Sequence, residues 1–276
     1  MNLPTVSARH GALWVRQGFR AFARQPLAFG GMFAAFMFTV FVSTLLPLVG
    51  SLVLLLALPL VTLGFMVATR DALEDRFPLP SAFWRPLRDD ARRRMALLQL
   101  CLLYALATFA IMWLSDLYDD GALDALMLAL SGSDKVTPEV VNQRISDPNL
   151  RNGLLLRFGL AGLLSVPFWH APALVHWHGH SVAKALFAST VAVWRNKAAF
   201  TVYGLAWIGV ILGFTIVASL LFGLLGQPQW IALAAMPASL LFSTVFYVSL
   251  YFTFVDCFAA APPSAAAAGP TPEELR

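Results

Sequence analysis

At 276 residues, with 59% hydrophobic and 12% charged side chains and a mean hydropathy of +0.71, the chain carries roughly half the charge that covers a soluble domain of this length. That composition excludes an ordinary water-soluble globule and suits a chain whose outside is lipid. The net charge of +4 and pI near 9.4 do not point to nucleic acid. The basic residues lie beside apolar segments instead of forming one solvated block, so anionic lipid headgroups are the simpler partner.

In chain order, residues 1–26 form a cytoplasmic basic lead-in. At 100° per residue over Ala8–Arg24, Arg9, Arg16, Arg20 and Arg24 share one narrow sector, while Trp14, Val15, Gly18, Phe19 and Phe22 occupy the opposite half. The expectation is an interfacial helix lying flat, arginines on lipid phosphates and aromatics in the acyl boundary. Six apolar runs follow within residues 27–258: Leu27–Leu46, Gly50–Thr69, Met95–Leu114, Phe158–Trp177, Ala199–Leu225 and Trp230–Phe258. Each is long enough for a hydrocarbon core that takes about 20 helical residues. The alternation of a barrel strand is missing, so the expected fold class is an all-α polytopic transmembrane helical bundle. The first run starts too late and is too long for a cleaved signal core, and is expected to be a retained span. The Ala- and Pro-rich segment 259–276 is expected to be a disordered cytoplasmic tail.

Orientation follows from Lys and Arg. The first lead-in, the segment between spans two and three (Arg70 to Arg94) and the segment holding Lys184, Arg195 and Lys197 share one side, which collects 15 of the 19 basic residues once Arg276 is counted. The outer loop, 115–152, is acidic by contrast. The positive-inside rule then places both termini in the cytoplasm of a bacterial inner membrane. Trp14, Trp84, Trp177 and Trp194 are expected in the aromatic belt of that face, with Trp113 and Trp230 opposite.

A threefold pattern accompanies this. Each pair of spans is preceded by a polar, basic segment, and Phe22-Ala23-Arg24-Gln25-Pro26-Leu27-Ala28-Phe29 lies over Val193-Trp194-Arg195-Asn196-Lys197-Ala198-Ala199-Phe200. Returning spans carry Pro59, Pro167 with Pro172, and Pro237. Three related helical hairpins are one explanation and coincidence is the other.

Few side chains suggest chemistry. His176 and His180 stand four apart, a spacing that shares a metal on a continuous helix, but no carboxylate or cysteine is near in sequence and Gly179 is expected to end the helix. No metal or cofactor is therefore assigned, to His178 or to any other residue. His170 is the ionisable side chain deepest in an apolar run, hence either a functional group or a partner for a carbonyl freed by proline. Ser239, Ser243, Tyr247 and Tyr251 recur every four residues on span six, as interhelical glue or as the lining of a polar path that His170 would join. Over Ser181–Trp194, Lys184 and Arg195 lie on one line, with Val182, Leu186, Thr190 and Val193 facing away. Arg9, Arg16, Arg20, Arg24, Lys184, Arg195 and Lys197 are the expected contacts to headgroups or a partner, with plain topological anchoring as the bland alternative. Cys101 and Cys257 sit in apolar runs as buried free thiols. In the outer loop, Ala122–Leu130 suggests a helix resting on the membrane, and Thr137-Pro138-Glu139 a helix start; a calcium loop at Asp116 fails at Tyr118 and Met127. No span carries Asp or Glu at its middle, Asp256 lying near an end, which disfavours ion-coupled transport.

Three stretches, Ala8-Arg9-His10-Gly11-Ala12-Leu13-Trp14, Arg24-Gln25-Pro26-Leu27 and Pro172-Ala173-Leu174-Val175-His176-Trp177-His178-Gly179 with Lys184-Ala185-Leu186-Phe187, carry a resemblance to an uncharacterised family of proteobacterial inner-membrane proteins. The resemblance covers most of residues 5–258. It implies an inner-membrane location and about six spans, and brings no activity or catalytic residue. No phosphate-binding glycine loop, serine elbow or HExxH is present. The expected function is that of a non-enzymatic membrane protein that assists assembly, organises lipid or binds a membrane-protein partner or a second copy. The alternative is a channel or facilitator.

Overall fold

A computed structural model describes residues 4–46, 49–88, 90–131, 146–227 and 229–258. The expected helix start at Thr137 and the tail from 259 lie outside these residues. Among the described residues the ordered elements are all helical: α1 (His10–Arg24), α2 (Pro26–Thr44), α3 (Val49–Leu73), 3-10 turns at Pro80–Phe83 and Arg85–Arg88, α4 (Ala91–Asp119), α5 (Ala122–Ser131), α6 (Pro148–Phe168), α7 (Ala171–His178), α8 (Val182–Arg195), α9 (Lys197–Leu224) and α10 (Trp230–Phe258). Among the described residues six helices are long and apolar enough to cross a membrane: α2, α3, α4, α6 continued by α7, α9 and α10. Leu205, Ile208, Leu212, Ile216 and Leu220 of α9 are all at least half exposed, an arrangement that only lipid tolerates.

Span ends differ from the hydropathy limits where polar groups finish a helix. The fourth span begins at Pro148, ten residues before its apolar run, because Asp147 caps it: the carboxylate accepts the Asn149 N–H at 2.9 Å and proline takes the first helical position. Both lead-in helices of the local match exist, and each meets its span across one residue, Gln25 or Asn196. The segment before the third span has 3-10 turns in their place.

The chain divides into two compact units. One comprises Met1–Ala34, Phe65–Ala82 and Val191–Arg276; the other comprises Ala35–Gly64 and Phe83–Thr190. In the first, α1 packs along both α9 and α10. Its core holds Trp14, Phe29, Phe65, Val245 and Val248, all fully buried.

In the second unit α4 packs on α6 and α7, with Tyr104 edge-on to Phe168 at 5.1 Å. Toward the outer loop, Arg157 of α6 pairs with Asp116 of α4. Helix α5 leans on α4 and α6, with Leu123 and Leu126 half-buried and Met127 exposed. Between α6 and α7 the helix breaks after Pro167. The Ser189 hydroxyl of α8 enters the gap, accepting the His170 N–H at 3.1 Å and donating to the Val166 carbonyl at 3.0 Å. In an uninterrupted helix those two groups would bond each other, so the hydroxyl splices a broken ladder.

Candidate functional site

The basic lead-in is the feature the fold elaborates most. Arg9 at the N-cap of α1 and Arg16, Arg20 and Arg24 within it are all exposed, and no ion pair among the described residues involves them. The opposite face corrects the sequence expectation. Trp14 lies in no aromatic belt and in no acyl boundary; it is completely buried, and Val15, Gly18 and Ala21 are buried with it. An apolar helical stripe signals burial without saying whether lipid or protein does the burying. Here α9 and α10 do so.

The seating is specific. Trp14 packs on Phe200 at 5.2 Å and meets Tyr203 at 6.0 Å, while its indole N–H donates to Asp256 Oδ2 at 2.7 Å. An indole buried this deeply needs such an acceptor. One turn earlier, Gly11 lies against the backbone at Ala199 and Tyr203, where a Cβ would collide with the Ala199 carbonyl oxygen. One turn later, a Cβ on Gly18 would come within 2.7 Å of the Ser249 Cβ. Gly11, Trp14 and Gly18 thus share one face, glycine giving close backbone approach on either side of a large anchor.

Polar groups close the same region. The Tyr203 and Ser249 hydroxyls bond at 2.6 Å. Asn196 is fully enclosed: its Oδ1 accepts the Val6 N–H at 2.8 Å, and its Nδ2 donates to the carbonyls of Ala192 at 3.0 Å and Pro4 at 3.3 Å. Sequence reasoning missed Asn196, Tyr203 and Ser249. The detectable signal was Gly11 and Gly18 flanking Trp14, since glycine weakens an isolated interfacial helix and is useful where backbones touch.

The other expected residues are placed as follows. Lys184, Arg195 and Lys197 are exposed, with the Lys197 ammonium 5.4 Å from the Trp194 ring centre. The face of α8 turned inward is Ala185, Ala188, Ser189 and Ala192; of the residues expected to face away from Lys184 and Arg195, Val182, Leu186 and Val193 are half-buried and Thr190 is exposed. On α10, the exposed Ser239 donates to its own helix at Met236. Ser243 and Tyr247 line an open groove of about 390 Å³ with Trp207, Ile211, Phe242 and Phe246. Tyr247 also stacks on Phe65 at 5.1 Å, and Tyr251 is half-buried. The fully buried hydroxyls of α10 are Ser249 and Thr253, on another face. His170, fully buried, belongs to the second unit and the α10 seam to the first. Gly179 ends α7 in a left-handed conformation (φ 62°), so His176 and His180 do not share a helix face. Among the described residues no three His, Cys, Asp or Glu side chains gather into a metal-ligand set. Cys101 and Cys257 are both free and buried.

A probable inner membrane protein of Burkholderia thailandensis is 35% identical to this chain over 268 residues, 96% of this chain and 97% of its relative. The chain belongs to that protein's family. It is an integral inner-membrane protein with six apolar helices. No family model and no solved structure matches it.

Proposed function

We propose that this inner-membrane protein is non-enzymatic and holds a fixed basic face against anionic headgroups at the cytoplasmic surface, organising lipid or a membrane-protein partner there. The observation that carries the reading is the docking of α1. Trp14, Gly11 and Gly18 clamp the helix to α9 and α10, so Arg9, Arg16, Arg20 and Arg24 stand on a rigid support. A flexible anchor loses entropy when it meets a surface, whereas a seated helix has already lost it. Each basic side chain near an anionic surface contributes about 1 kcal/mol. Both termini are assigned to the cytoplasm, from the positive-inside distribution of Lys and Arg.

The test is lipid retention by the full chain in neutral detergent. Replacing Arg9, Arg16, Arg20 and Arg24 by Gln is expected to weaken the preference for phosphatidylglycerol over phosphatidylcholine. An unchanged preference, with no crosslinked partner lost, sinks the reading. A facilitator is the second reading, supported by the groove at Ser243 and Tyr247. Its largely aromatic and aliphatic lining suits an acyl chain better than an ion. Liposome flux that falls on replacing Ser243, Tyr247 or His170 would favour it instead.

A further inference from the structure

The second unit contains a polar cleft that the basic lead-ins do not explain. It encloses about 230 Å³ between Asp90, Arg92, Arg93 and Ala96 at the start of α4 and Gly179, His180 and Ser181 at the α7–α8 junction. The Arg93 guanidinium is steered into place, its Nη1 donating to the His176 carbonyl at 3.2 Å, in the last turn of α7. A cation suits that end of a helix. One donor of five is used in this way. Gly179 leaves the flank of the guanidinium open: a Cβ there would lie 3.8 Å from Nε and 3.9 Å from Nη2 of Arg93, covering both.

Opposite stands His180. Its Nδ1 is buried and has no hydrogen-bond partner. Burial, then the charge of Lys184 and the neighbouring His178, push its pKa below the ordinary histidine value, so the ring is neutral near pH 7. With its hydrogen on Nε2, the ring nitrogen that is not buried, it offers the cleft a donor that the protein itself leaves unused. The Ser181 hydroxyl adds a further donor. Among the described residues that line the cleft, Asp90 is the opposing charge; it is exposed, and two guanidiniums outweigh it. Planar guanidinium forks match a tetrahedral oxyanion, and two of them repel a metal cation.

We propose that this cleft binds a phosphate group, carried by a lipid headgroup or by a soluble phosphate compound. Its place supports both sources. Arg92 and Arg93 stand just before the apolar run that starts at Met95, and His180 just after α7, so the cleft lies at headgroup depth with access to water.

The test uses the full chain in neutral detergent, titrated with inorganic phosphate by calorimetry and, separately, scored for retained phosphatidylglycerol against phosphatidylcholine by native mass spectrometry. Arg92→Gln and Arg93→Gln are each expected to weaken binding about tenfold, and His180→Phe several-fold. Cleft-dependent binding of inorganic phosphate identifies a soluble source; cleft-dependent retention of phosphatidylglycerol alone identifies a headgroup. Should Arg93→Gln unfold the chain, Arg92→Gln and His180→Phe still decide, since the His180 ring makes no hydrogen bond that Phe would remove. Loss of cleft-dependent binding with the α1-dependent lipid preference intact marks failure here alone, and the converse marks failure of the α1 reading alone. The proposal is overturned if wild type binds neither ligand, or if whatever it binds is indifferent to Arg92, Arg93 and His180.

Discussion

The two lead-in helices, α1 and α8, look alike in sequence and are used differently. Both are amphipathic, both carry basic residues on the outer face, and both meet a span across a single residue. Helix α1 buries one very large side chain between two glycines and ties it to a carboxylate. Helix α8 buries only Ala185, Ala188, Ser189 and Ala192, and its one polar inward group repairs a neighbouring helix. An anchor with many contacts fixes where a helix sits. A stripe of small residues lets it come close enough for one hydroxyl to reach a backbone. Periodicity alone describes both, and the size of the inward residues tells them apart.

Breaking α1 should have the largest consequence. Trp14→Ala removes a fully buried indole and is expected to destabilise the first unit by about 3–5 kcal/mol, read as a lower unfolding midpoint in detergent. Trp14→Phe isolates the indole–Asp256 bond; the loss should be about 1.5–3 kcal/mol, and a variant as stable as wild type would show that packing alone seats the helix. On α8, Ser189→Ala removes the bonds from its hydroxyl to the His170 N–H and the Val166 carbonyl, at about 1–3 kcal/mol, with faster amide exchange at His170. A Ser189→Thr variant keeps the hydroxyl and should recover part of this if the added methyl fits. The smallest effect is expected outside: Arg16→Gln and Arg20→Gln together should move stability by less than about 0.5 kcal/mol while weakening retention of anionic lipid.

The six spans were legible because hydropathy reports the solvent around a helix, and here that solvent is lipid. The cap at Asp147 and Pro148 was written in the sequence as well, though the apolar run ten residues downstream concealed it. What sequence could not show was which surface covers an apolar stripe. Trp14 therefore read as an interfacial residue when it is an interior one, and the buried face of α8 falls on Ala185, Ala188, Ser189 and Ala192. Ser189, Asn196 and Ser249 carry no pattern of their own. Each matters through a group distant in sequence, and Asn196 meets Val6 across 190 positions.

The bond from Trp14 to Asp256 joins residues 242 positions apart. A ribosome working at about 5–20 residues per second takes roughly ten to fifty seconds to cover that distance. Helix α1 is consequently seated only after α9 and α10, which are translated well after it. Until α9 and α10 have been made, the helices that bury Trp14 in the finished fold are missing.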